Sequence, residues 1–405
     1  MEQLPLHDIT VCDITQNLAG PLSARLLAEL GAEVIHVEKL TGDNARGITT
    51  DYLGGEGLFH QLSNRSKKGI AVDLKAPEGA DIVRRLVAQS DVLLESQGPG
   101  AMDRLGLGYP ELSAKHPRLV YGSVSAYGVA GRAAGLKGYD FLIQGLAGLT
   151  RPNATGGRDF VVGGPFADTA TPLLLALGVV AALRARELTG RGQWVQTSLL
   201  QGALHMLGPN LLQVDDDPDL NTSARPAIGA NDPSTGAFRT LDGRWLAIVA
   251  FNDDQFRKLS RCIGRDDLAA DPGLATQTLR GLRSEEVREI IAKAVASRTA
   301  DEWMSELLAA DVPCERVYDS PKEMMFAPAV WKDEAFCDFE HPTKGRMVQA
   351  ATGISYGDDV LRAVSAAPRL GQDTATVLAR LGYSAHEIED LEQSGVVLCA
   401  PEQPE

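Results

Sequence analysis

Two β-rich apolar runs, ITVCDIT (9–15) and AEVIHVEK (32–39), flank a helical segment, PLSARLLAEL (21–30), near the start of the chain. A proline opens that helix, where its missing N–H has no intrahelical partner to lose, and Gly31 ends it. The spacing predicts a βαβ unit. The alternation returns as IAVDL (70–74), a helix over EGADIVRRLVAQ (78–89), DVLLE (91–95) and LVYGSVS (119–125). Short apolar strands separated by helices predict a largely parallel sheet covered on both faces. The expected fold class is α/β, with a Rossmann-like parallel-sheet large domain.

A further helix is predicted from about Thr169 to Leu188. Its apolar stretch TPLLLALGVVAAL (171–183) is shorter than the ~20 residues that cross a bilayer, so a buried helix and no membrane association are expected. TGRGQ then leads into a strand-like WVQTSLL (194–200), and residues 1–200 form the first part of the large domain. Residues 201–224 read as a linker that ends in the acidic, turn-rich VDDDPDLNTS. AFRTLDGRWLAIVA (237–250) predicts a hairpin around Asp242-Gly243, and amphipathic helices follow near 284–297 and 300–310. Residues 225–330 are thus expected to be a smaller α+β domain. Residues 331–405, with helical segments GQDTATVLARLG and HEIEDLEQSG, form a linker and a C-terminal part returning to the large domain.

A chain of 405 residues exceeds the usual size of a single core, in keeping with two domains. Its formal net charge of -15 opposes binding to nucleic acid or to an anionic membrane. Any phosphate-bearing ligand must therefore meet a local group of Lys and Arg. The five cysteines are odd in number, widely spaced and free of C-x-x-C, which predicts reduced thiols rather than disulfides or zinc. The N-terminus MEQLPLHDITVCD lacks the basic-then-apolar pattern of a secretory signal, so a cytoplasmic location is expected. There is no G-x-x-x-x-G-K-[ST] loop, no G-x-G-x-x-G turn after the first strand, no H-E-x-x-H and no G-x-S-x-G. Phosphate-loop, dinucleotide, zinc-protease and serine-hydrolase readings lose their support, and the scattered histidines suggest no metal site.

Six phrases in order resemble the class III CoA-transferase family, which includes formyl-CoA and carnitine CoA-transferases and shares its fold with α-methylacyl-CoA racemases. They are LAGPLSARLLAELGAEVIHVEKLTGDNARG (18–47), NRSKKGIAVDLK (64–75), GPGAMDRLGLGY (98–109), KGYDFLIQGLAG (137–148), GGPFADTATP (163–172) and LRARELTGRGQWVQTSLL (183–200). The tail PRLGQDTATVLARLGY (368–383) is similar to that family's ending. The resemblance implies an enzyme that moves CoA from an acyl-CoA to a free carboxylic acid, with no tightly bound cofactor. It also implies a homodimer of interlocked chains.

The resemblance puts the nucleophilic carboxylate at Asp168. Glycines followed by an Asp ahead of an apolar helix would set that carboxylate at a helix N-terminus, which favours an anion ionised at neutral pH. The plain alternative is that Asp168 only caps the helix. By the same resemblance Lys39, Lys75, Arg104 and Lys137 contact CoA, and Leu18, Leu74, Ser96, Gln97 and Gly98 line it. For each lysine the alternative is a solvated surface charge. Tyr139, Asp140 and Gln144 are expected at the substrate. Backbone N–H groups around Gly163 and Gly164, or in a small-domain loop, could hold the oxyanions. The glycine-rich loop of the formyl-CoA transferases corresponds here to AIGANDPSTGAF (227–238), which argues against oxalate. Succinyl-CoA with a small dicarboxylic acceptor is the first expectation.

Two other readings stay open. A racemase of this fold uses a His and a Glu where this chain has Tyr139 and Asn252, neither of them an effective base near neutral pH. A non-catalytic acyl-CoA-binding protein would keep the cationic contacts and have no use for Asp168.

Overall fold

The computed structural model describes residues 4–49, 53, 56–152, 160–161, 164–211, 232–326, 335–357, 359–360 and 365–401. It divides into two compact units, residues 1–212 with 331–405 and residues 213–330.

In the first unit β1 (Thr10–Ile14), β2 (Glu33–Glu38), β3 (Lys68–Val72), β4 (Val92–Glu95) and β5 (Val120–Ser125) run parallel, and a small pair, β6 (Arg151–Pro152) and β7 (Phe160–Val161), precedes the parallel edge strand β8 (Trp194–Ser198). The order across the sheet is β3-β2-β1-β4-β5-β8, and the C-terminal Val397–Leu398 pairs antiparallel with β3. The intervening helices are α1 (Ala19–Glu29), α2 (Leu58–Asn64), α3 (Pro77–Ala88), α4 (Ala101–Arg104), α5 (Tyr109–Lys115), α6 (Asp140–Ala147), α7 (Phe166–Thr189) and α8 (Leu199–Leu207).

The two-residue period of the strands divides the core between the two faces. Val11, Val34, Val92, Leu94 and Val120 meet Leu27 of α1 and Leu175 and Val179 of α7. Cys12, Ile35, Ile70, Leu93 and Tyr121 meet Ile82 and Leu86 of α3, Leu112 of α5, and Val377 and Leu378 from the C-terminal helix Thr374–Arg380. Burial on both faces is why these strands read as continuous apolar runs. Among the described residues α7 alone has the length and apolarity of a bilayer span, yet half of its apolar window is buried inside this unit.

Two element boundaries differ from expectation. The strand predicted through Leu200 stops at Ser198, whose Oγ accepts the Gln201 N–H at 3.2 Å and so starts α8 at Leu199, from where it runs on into the stretch read as a linker. Gly202 lets α8 lie against α7, since a Cβ there would come within 2.2 Å of the Thr171 hydroxyl. The helix predicted from Thr169 begins at Phe166, with Pro165 at the cap position.

The second unit has a three-stranded antiparallel sheet of β9 (Thr235–Arg239), β10 (Trp245–Val249) and β11 (Cys314–Val317). Gly243 takes a positive φ of 75° in the β9–β10 turn, which only glycine adopts freely. Helices Asp253–Cys262, Ser284–Val295 and Ala300–Ala309 cover the sheet, and Phe238, Leu246, Ile248, Ile291, Trp303 and Leu307 fill the core. Arg280 is fully buried in this unit, donating to Asp253 at 2.9 Å and Asp232 at 3.3 Å with its guanidinium over Phe256.

Candidate active site

Strands β1, β2 and β3 are laid down to one side and β4, β5 and β8 to the other, so the sheet changes direction between β1 and β4. In open parallel sheets such a switch leaves a crevice beyond the carboxyl ends of the strands. The residues following β1 and β4 are tied together there. The Gln16 N–H donates to Ser96 Oγ at 2.9 Å, and Gln97 Nε2 donates to the Ile14 carbonyl at 3.0 Å. Asn17 has a left-handed φ of 67°, and its N–H donates to both oxygens of the Asp43 carboxylate, at 3.1 and 3.0 Å. That contact fixes the turn which delivers Leu18 to the cap position of α1.

The other candidate ligand contacts follow strand ends as well. Lys39 directly follows β2 and donates to Asn44 Oδ1 at 2.9 Å, and Leu74 and the exposed Lys75 follow β3. Gly98 is exposed after β4, and Arg104 closes α4 just beyond it. Lys137 lies past β5, where the missing side chain of Gly138 lets the chain approach Ala126: a Cβ would sit 2.4 Å from that of Ala126. Ser96 and Gln97 are therefore tied to the end of β1 and the turn that precedes Leu18. Among the described residues Lys75, Arg104 and Lys137 are exposed and form no ion pair.

A second cluster joins α6 to the start of α7. Tyr139 is 65% exposed and occupies the cap position of α6, ahead of Asp140. Asp140 Oδ1 accepts the backbone N–H of Asp168 at 3.0 Å. Gln144, one turn later and fully buried, donates from Nε2 to Asp140 Oδ2 and to the Gly164 carbonyl, the latter at 2.8 Å. Asp168 stands in the first turn of α7 and not at its cap, so the capping alternative does not apply. The expectation of a fully ionised carboxyl also needs correction. Burial, and secondarily the charge of Asp140, push the Asp168 carboxyl up to about 7. A helix N-terminus favours the anion by only ~0.3–1 kcal/mol, less than the desolvation it opposes.

Gly163 and residues 227–231 of the glycine-containing loop lie outside the described residues. The remainder of that loop belongs to the second unit, where the Asp232 carboxylate accepts the Ser234 N–H at 3.0 Å. Asn252 caps the helix Asp253–Cys262, its Oδ1 accepting the Gln255 N–H at 2.9 Å. Among the described residues no group of three or more His, Cys, Asp or Glu is placed to hold a metal.

Sequence reasoning missed the charged support beneath the β1–α1 turn. Asp13 is fully buried and accepts from Lys67 Nζ at 2.8 Å, lies 2.9 Å from His36 Nδ1, and accepts the Thr15 N–H at 3.1 Å. Lys67 also donates to the Pro21 carbonyl at 2.7 Å and Asn64 Oδ1 at 2.8 Å. Although burial opposes it, the charges of Lys67 and His36 hold the Asp13 carboxyl well below the usual carboxylate range. The available signal was an acid inside an apolar strand, in VCDI, which must find a partner if it is buried.

The sequence profile of CoA-transferase family III matches residues 6–374. The chain is 30% identical over 399 residues to the succinyl-CoA:glutarate CoA-transferase of Mus musculus, covering 97% of this chain and 90% of that one. It is 31% identical over 404 residues to the succinyl-CoA–L-malate CoA-transferase alpha subunit of Chloroflexus aurantiacus, covering 98% and 93%. The crystal structure of Rv3272 from Mycobacterium tuberculosis superposes with a TM-score of 0.79 at 31% identity, over 92% of this chain and 99% of that one. With the profile spanning nearly the whole chain and the fold shared throughout, this protein belongs to CoA-transferase family III and is an enzyme of the CoA-transferase class.

Proposed function

We propose that this enzyme moves CoA from an acyl-CoA thioester to a free carboxylic acid with Asp168 as the nucleophile. The observation that carries the reading is a half-buried carboxyl in the first turn of α7, with Asp140 bonded to its backbone and Gln144 bracing Asp140 from α6. A carboxylate held against a thioester gains from proximity and from splitting one difficult transfer into easier covalent steps. An Asp168 oxygen attacks the thioester carbonyl, and the C–S bond breaks to release CoA thiolate and leave an aspartyl-acyl anhydride. The thiolate attacks the aspartyl carbonyl, expelling the donor acid and forming an aspartyl-CoA thioester. The acceptor carboxylate then attacks this thioester, and the released thiolate takes the acceptor acyl group, restoring Asp168. Every step is acyl transfer, so the route calls for no tightly bound cofactor or metal.

The crevice beyond β1 and β4 supports a Rossmann-like mode of CoA binding. Leu18, Leu74, Ser96, Gln97 and Gly98 would line the ligand, and Lys39, Lys75, Arg104 and Lys137 would meet its phosphates. Tyr139, Asp140 and Gln144 would face the acyl end. Succinyl-CoA as donor and a small dicarboxylic acid as acceptor are supported by the names of the mouse and Chloroflexus relatives. The racemase reading is disfavoured because Asn252, no base, is already engaged as a helix cap. We further propose a cytoplasmic homodimer with no nucleic-acid or membrane partner; a stable folded monomer in light scattering at micromolar concentration would remove the dimer.

The mechanism is tested by Asp168→Asn, which nearly preserves shape and removes the anion. It should fold and bind CoA yet lose transfer by roughly several powers of ten. Hydroxylamine added during turnover should leave a mass change on the peptide containing Asp168, only when acyl-CoA is present. Near wild-type transfer by the Asn variant, with deamidation excluded, would overturn the proposal.

A further inference from the structure

Strand β2 ends on Glu38, and Arg46 closes the loop that follows it. Arg46 Nε and Nη2 donate to the two oxygens of the Glu38 carboxylate at 2.7 and 2.6 Å, and Nη2 also donates to the Pro368 carbonyl at 3.0 Å. Glu38 Oε2 accepts the Asp43 N–H at 2.8 Å. Asp43 in turn takes the Asn17 N–H on both carboxylate oxygens and the Ala45 N–H on Oδ1. A relay of bonds thus runs from Arg46 through Glu38 and Asp43 to left-handed Asn17, the residue before Leu18. The same loop reaches Lys39, whose Nζ is held by Asn44 Oδ1.

Glu38 and Asp43 are both buried, and among the described residues Asp43 forms no ion pair of its own. Nearby cations are committed elsewhere or absent. Lys67 pairs with Asp13, and burial together with the charge of Arg46 pushes His60, the other side chain at the Pro368 carbonyl, down to about 3. Although burial opposes it, Arg46 holds the Glu38 carboxyl down to about 2. Replacing a buried ion pair by apolar groups of similar volume often costs no stability, so the contribution of such a pair lies in the geometry it fixes.

We propose that Arg46 is a positioning residue for CoA binding, which through Glu38 and Asp43 sets the turn before Leu18 and the loop that carries Lys39 relative to one another. The inference rests on the crevice beyond β1 and β4 as the CoA site. Holding the turn and a flexible lysine in place beforehand spares the ligand the entropy of ordering them on binding.

Calorimetric titration of coenzyme A into the purified full-length protein tests it, with folding verified by circular dichroism. Arg46→Met should raise Kd by about tenfold at unchanged stoichiometry, and Arg46→Lys, which returns a cation to Glu38 without the two-atom grip, by about threefold. Should Arg46→Met fail to fold, Arg46→Lys decides alone. Arg186→Met is the control: Arg186 is also buried and paired with an acid, Asp91 at 2.9 Å, but Asp91 precedes β4 at the opposite end of the strands. Its Kd should stay within about twofold of wild type. Lys39→Ala should weaken binding by about tenfold. If it does while both Arg46 variants bind as wild type, the positioning role falls and the crevice stands. If Lys39→Ala binds as wild type, the placement of CoA at Lys39 falls and takes the inference with it. Equal weakening in Arg186→Met, or a reduced stoichiometry at wild-type Kd in the Arg46 variants, would show that Arg46 only supports the fold and would overturn the assignment.

Discussion

Replacing Asp168 with Asn should make the folded protein more stable at pH 8 while abolishing its proposed chemistry. In the fold the Asp168 carboxyl sits at about 7, against 3.8 for an unperturbed Asp, so ionising it costs more in the native than in the unfolded state. Converted directly, that difference sets a ceiling of about 4 kcal/mol. Solvent still reaches part of the residue and the α7 N-terminus favours the anion, so roughly 2 kcal/mol is the expected penalty. The sign follows from proton linkage. A carboxyl with a raised native value holds its proton longer in the fold, so the contribution of Asp168 to wild-type stability is greatest below about pH 4 and falls as pH rises to about 7. The Asn side chain does not titrate, so the variant should exceed wild type at pH 8 and lose most of that advantage by about pH 4. Thermal midpoints of both proteins measured from pH 4.5 to 8, on the order of a few degrees apart at the upper end, provide the assay. A variant less stable than wild type at pH 8, or a difference that does not change with pH, would refute the reasoning.

The same carboxyl should give kcat/KM for acyl-CoA an acid limb near pH 7, because only the anion attacks. Asp140→Asn, which still offers an oxygen to the Asp168 N–H, should move that limb down by about one pH unit, and an unmoved midpoint would mean the two charges do not interact. Arg104→Ala should raise KM for acyl-CoA more than it lowers kcat, and wild-type CoA binding should weaken as salt rises; unchanged constants would leave Arg104 a surface charge. Lys67→Met should cost about 3 kcal/mol in urea unfolding by leaving Asp13 buried without its cation, and a loss under about 1 kcal/mol would show that His36 and Thr15 suffice.

The strands and helices of the large unit were legible because their signals are local. ITVCDIT and AEVIHVEK are apolar on both faces, and PLSARLLAEL carries its own start and stop. The phrases KGYDFLIQG and GGPFAD named Asp140, Gln144 and Asp168, and the structure brings the three into one hydrogen-bonded cluster. Boundaries were less legible where a side chain overrides propensity. Leu199 and Leu200 suit a strand as well as a helix, and the Ser198 hydroxyl chooses the helix.

Charge was the least legible property. The order of residues alone carried the βαβ alternation, the two units' worth of apolar periodicity and the family phrases, because each depends on neighbours a few positions apart. Which acid meets which base depends on distant segments: Asp13 and Lys67 are 54 residues apart and meet only because the sheet sets β1 and β3 on either side of β2, with His36 paired to Asp13 on one edge and to Gly69 on the other. Asp168 shows the consequence most directly. Its helix position favours an ionised carboxyl, but folding buries it and sets Asp140 of α6 beside it, and desolvation plus a like charge outweigh a helix dipole.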